Sequence, residues 1–106
     1  MEVKEELKRE GFWISTEEPN LPKPKPGVLS LMEAVAIHSL IVAKQHQANV
    51  VSYRGKTLSR ITGEGLGYVE YRLDGWCWPG DFAEHYVLQN KVKPSHEFLS
   101  FIGFQN

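Results

Sequence analysis

From Leu31 to Ala43 the chain is apolar at nearly every position: Leu31, Met32, Ala34, Val35, Ala36, Ile37, Leu40, Ile41, Val42 and Ala43. Wound at 3.6 residues per turn, this run covers most of a helix circumference and leaves a narrow polar strip near Glu33, Lys44 and Gln47. Ser30 and Glu33 precede it with the spacing of a capping box, so the pattern predicts a helix from Leu31 to about His46. The apolar arc is too wide for one small sheet to cover. The helix is expected to be central, or to be buried by a partner subunit.

Beyond Asn49 the period changes to that of strands. NVVSYR, KTLSRIT and GYVEYRL are short and rich in β-branched and aromatic residues, and the turns RGK and TGEGLG separate them. They predict a three-stranded antiparallel meander. Asp74-Gly75 marks a further tight turn into WCW, a fourth extended piece that Pro79 and Gly80 end. Asp81 with Glu84 predicts a capped helix to about Gln89, with Phe82, Ala83, Tyr86 and Val87 on its inner face, and Pro94-Ser95 opens a last helix that ends near Gly103.

Upstream, residues 2–10 hold helix formers followed by Gly11, which predicts a short helix that Phe12, Trp13 and Ile14 would dock. EEPNLPKPKPG then forbids regular structure and favours an extended polyproline segment, so 15–28 reads as an arm or connector. Its PKPKP run is read as a stiff spacer in preference to an SH3 ligand. Helices set apart from an antiparallel sheet define an α+β fold in a single domain over 1–106.

Composition narrows the function classes. Twelve Lys and Arg balance thirteen Asp and Glu, so no global field draws the chain to nucleic acid or to an anionic membrane. The apolar stretch from Val28 to Ala43 is too short and too polar to span a bilayer. A lone cysteine, Cys77, excludes an internal disulfide, and MEVKEELKRE lacks the apolar core of a secretory signal, so a cytoplasmic location is expected.

Few residues carry candidate chemistry. Cys77 and His85 would form a thiolate–imidazolium pair if the strand and the following helix bring them together, yet no orienting Asn or Asp is evident. His85 is expected on the outer side of its helix, paired with Asp81 four residues earlier. The four histidines and Cys77 match no zinc spacing, so no metal or other cofactor is expected. Gly63-x-Gly65-x-Gly67 precedes a strand and not a helix, which makes it a hairpin device and not a phosphate loop. Trp76, Trp78 and Tyr86, with Tyr68 and Arg72 from the sheet, are the candidate walls of a ligand pocket. Arg54, Lys56, Arg60 and Arg72 beside exposed aromatics would suit single-stranded RNA, a reading that the balanced charge and the neighbouring Glu64 and Glu70 disfavour.

The C-terminal third, with Trp78-Pro79, Phe82, His85-Tyr86-Val87, Val92, Pro94 and Glu97-Phe98, resembles a tail found in uncharacterised small bacterial proteins. The chain as a whole also looks like the orphan proteins carried on bacterial mobile gene cassettes. The resemblance implies a recurring structural unit and no particular reaction. With no complete catalytic constellation, the leading expectation is a small interaction or ligand-binding domain that self-associates, as a dimer, through helix 31–43. A small enzyme or metabolite binder with a cleft near Cys77 and His85 is the alternative.

Overall fold

The computed structural model describes residues 7–13, 18–52, 57–66 and 69–105. In chain order the elements are β1 (Lys8–Arg9), α1 (Leu31–Gln45), β2 (Asn49–Ser52), β3 (Thr57–Leu58), β4 (Gly65–Leu66), β5 (Val69–Leu73), β6 (Trp76–Pro79), a π-helix (Phe82–Gln89) and α2 (His96–Ile102). The fold is α+β, with three helices and a mixed sheet of four strands among the described residues.

That sheet has the order β1-β6-β5-β2. Its centre is the β5–β6 hairpin, joined at Asp74-Gly75, where both residues take positive φ (49° and 83°) as a two-residue turn of right-handed twist requires. β2 pairs antiparallel with β5 on one side. On the other, β1 lies parallel to β6, with Lys8 opposite Trp76 and Arg9 opposite Cys77.

Two expectations are corrected here. The contiguous antiparallel meander gives way to a mixed sheet, because the middle segment leaves it: Thr57–Leu58 pairs with Gly65–Leu66 in a separate two-stranded ribbon, and β2 closes directly onto β5. Residues 8 and 9 of the expected N-terminal helix are strand. Helix propensity at Lys8–Glu10 yields to the backbone acceptors of the β5–β6 turn and β6, which take Lys8 N–H to Gly75 O (2.8 Å) and Glu10 N–H to Cys77 O (2.9 Å). The segment 1–6 lies outside the described residues.

The capping box of α1 forms as the sequence predicts, with Glu33 N–H donating to Ser30 Oγ (3.1 Å) and Ser30 N–H to Glu33 Oε1 (3.0 Å). The helix is not central. Ala34, Ile37 and Ile41 face inward at helical spacing, mainly against the π-helix, while Leu31, Met32 and Val35 stay exposed. The core itself is aromatic. Trp78 stacks on Tyr71 at 6.0 Å and meets Phe98 edge-on at 5.5 Å, and Phe98 also packs against Trp76 and Phe82. Among the described residues no helix is long and apolar enough to cross a membrane.

Candidate functional site

The helix after β6 winds as a π-helix, with Asn90 N–H donating to His85 O (3.2 Å) five residues back. The extra residue per turn widens the inward face, so Phe82, Ala83, His85, Tyr86 and Val87 are all buried. This corrects the expected outward His85 paired with Asp81: the His85 ring is inside, and it is Glu84 that faces out, meeting His38 Nε2 at 3.1 Å. Asp81 stands at the helix start without a side-chain capping bond.

The buried His85 is held by the turn that follows β3. Ser59 Oγ accepts the amide hydrogens of Ile61 (3.1 Å) and Thr62 (3.0 Å) and is hydrogen-bonded to His85 Nε2 at 2.7 Å. On the other side of the ring, Glu64 Oε1 lies 3.4 Å from His85 Nδ1. Next to this chain, Arg60 N–H donates to the Tyr86 hydroxyl (3.2 Å). The order carboxylate, imidazole, hydroxyl is that of a serine nucleophile with its base and orienting acid. Its surroundings are those of a latch. Ser59 is 4% exposed, and both acceptor positions of its oxygen are occupied by local amides, so no lone pair points toward a substrate. What the arrangement does is clamp the β3–β4 ribbon to the π-helix.

The sequence-derived candidates do not converge on one cleft. Both ring nitrogens of His85 face Ser59 and Glu64, so neither is turned to Cys77. Cys77 sits on β6 at 3% exposure, where burial pushes its thiol pKa up and the neighbouring Glu70 adds to the shift. Trp76, Trp78 and Tyr86 are core residues, and burial likewise raises the Tyr86 pKa. Arg72 is half-buried and holds the buried Glu70 through Nε at 2.6 Å. Tyr68, Arg54 and Lys56 lie outside the described residues. Gly63 takes the positive φ (78°) of a turn residue between β3 and β4. Among the described residues no three His, Cys, Asp or Glu side chains gather as a metal ion would require.

Sequence reasoning missed Ser59 and Glu64. The signal lay in SRITGE, where a serine begins a tight turn of the kind its hydroxyl caps, but His85 is 26 positions away and nothing local names it. The exposed apolar surface was legible in the width of the α1 arc. Val28, Leu31, Met32 and Val35 are 54%, 64%, 84% and 48% exposed, one contiguous stretch at the start of the helix. Comparison with protein-family models, curated proteins and solved structures finds no match to this chain.

Proposed function

We propose that the protein is an interaction module that self-associates through the outer face of α1. The observation that carries this reading is the exposure of Leu31, Met32 and Val35 on a well-capped helix, with Val28 beside them. Large apolar side chains scattered singly on a surface need no explanation, but four within eight residues form a patch of the kind that a partner covers. Farther along the same side, Ala36, Ser39 and Ala43 are exposed and small, which lets a second helix approach closely. A two-fold pairing of α1 with its own copy would bury both patches at once.

The burial of Cys77 and His85, each away from solvent, favours this reading over a cysteine-based enzyme. Sedimentation equilibrium across a range of protein concentrations tests it. The wild-type chain is expected to dimerise and Met32→Asp to remain a folded monomer, with a midpoint that matches the wild type's only at concentrations where both are monomeric, since Met32 touches little of its own core. A wild-type chain that stays monomeric at high concentration overturns the proposal.

A further inference from the structure

The proline-rich arm ends docked. Gly27, Val28 and Leu29 donate their amide hydrogens to the carbonyls of Asn90 (2.8 Å) and Lys91 (3.0 Å for both), which sets the arm beside Val92 and Lys93. Between these strands of chain and Trp13 lies an open groove of about 200 Å³, lined by Trp13, Lys23, Lys25, Val28, Val92 and Lys93. For scale, a cavity of about 150 Å³ holds a benzene ring. The groove is therefore the size of one ring with a substituent.

Among the described residues its charge is of one sign. Three of the six described lining residues are lysines, and among the described residues none of the three ammonium groups has a carboxylate within ion-pair reach. Glu33 feels Lys93 only at longer range, and its carboxylate is already committed to the Ser30 amide. Lys23 and Lys25 alternate with Pro22, Pro24 and Pro26, whose rings lock φ, so two of the cations are carried on a stiff backbone and little order is lost when they bind.

Trp13 supplies the aromatic wall of the groove. Its indole packs against Tyr86 (5.5 Å between ring centres) and Phe82 (6.4 Å), so the ring is held in place from the core side. We infer that this groove binds a small organic anion, an aryl carboxylate or aryl monophosphate. Its ring lies against Trp13, Val28 and Val92, and its anionic oxygens meet the lysines. The inference does not rest on self-association.

The test uses the full chain and phenyl phosphate and benzoate as probes, with inorganic phosphate and benzyl alcohol as single-feature controls. Binding is followed by the indole N–H resonances in NMR, because the Trp78 N–H already donates to Gln45 Oε1 (3.2 Å) and serves as an internal reference. The expected result is a saturable shift of the Trp13 resonance by one or both aryl anions, with affinity near the millimolar range of a shallow site, while Trp78 stays fixed. The Lys23→Ala/Lys25→Ala/Lys93→Ala variant, altered only at exposed positions, should keep its fold and lose about tenfold or more in affinity. Preference for the carboxylate or for the phosphate would tell the two sources apart. No saturable shift at Trp13, equal binding of benzyl alcohol, or undiminished binding by the triple variant would each overturn the inference.

Discussion

The Glu10 carboxylate holds Ser95 at both of its polar ends, accepting the amide hydrogen at 2.9 Å and the hydroxyl hydrogen at 2.6 Å across 85 positions of chain. Ser95 in turn caps α2, its Oγ accepting from Phe98 N–H at 3.2 Å. One carboxylate thus ties the N-terminal strand to the start of the last helix. Ser95→Ala should cost about 1–3 kcal/mol in urea denaturation, since it removes the cap and leaves Glu10 with one donor fewer. An unchanged midpoint would show that the contact contributes nothing.

The same carboxylate sets a pH dependence. Burial raises the Glu10 pKa, and the Ser95 bonds only partly oppose it. A folded-state pKa above the unfolded one means that the native chain binds the proton more tightly. The stabilisation from this group is therefore full below the ordinary glutamate value of about 4.3 and is lost as pH rises through the raised value. Exposed Glu18 and Glu33 run the other way: Arg9 and the Ser30 amide lower their pKa values, so their contribution is present above the ordinary value and fades on acidification. Glu10→Gln should remove the fall in stability above the ordinary glutamate range and leave the acid-side fall in place. If the wild-type and variant unfolding free energies run parallel from pH 4 to 7, the assignment to Glu10 is wrong.

Ser59 and His85 give a contrast between latch and nucleophile. Ser59→Ala should destabilise the fold by about 1–3 kcal/mol, because two amides and a buried imidazole lose their partner together. A fluorophosphonate should leave the native Ser59 unlabelled. Stoichiometric labelling detected by mass spectrometry would reverse the reading and make this trio a hydrolase site.

Gly11 is a backbone requirement. Its φ is +78°, and a Cβ built there would stand 2.5 Å from Phe82 Cδ1, with Phe82 itself fully buried. Gly11→Ala combines an unfavourable left-handed backbone with overpacking of the core, for a loss of about 2–4 kcal/mol by thermal or urea unfolding. A loss under about 0.5 kcal/mol would mean that the β1 segment is not seated on Phe82.

What the sequence made legible was local. The Ser30–Glu33 box, the Ser95 cap with Gly103 at φ 85°, and the Asp74-Gly75 turn each involve groups within a few positions, so residue type alone specifies the geometry. The parallel pairing of Lys8 and Arg9 with β6 was not legible, because the donors and acceptors that override local propensity lie nearly seventy positions away. Nor was the π-helix. A spacing of five in place of four in the backbone ladder leaves no mark on FAEHYVLQ, yet it decides that His85 faces Ser59 and not solvent. The three lysines of the groove come from two separate segments, and only the docking of Gly27 and Val28 on the Asn90–Lys91 turn brings them together.

Cys77 is where reactivity and packing make opposite demands. The thiol lies on the central hairpin at 3% exposure, and burial, with Glu70 nearby, holds its pKa above the ordinary value, so the thiolate that alkylating reagents need is scarce as well as inaccessible. Reaction must then wait for the β5–β6 hairpin to open. Labelling with iodoacetamide at mildly alkaline pH should be far slower than for a free thiol, and its rate should climb with urea in step with the global unfolding constant. Stabilising the fold elsewhere should slow it by the same factor. A native-state rate matching that of a model thiol, independent of urea, would show that Cys77 reaches solvent without unfolding and would return it to the candidates for chemistry.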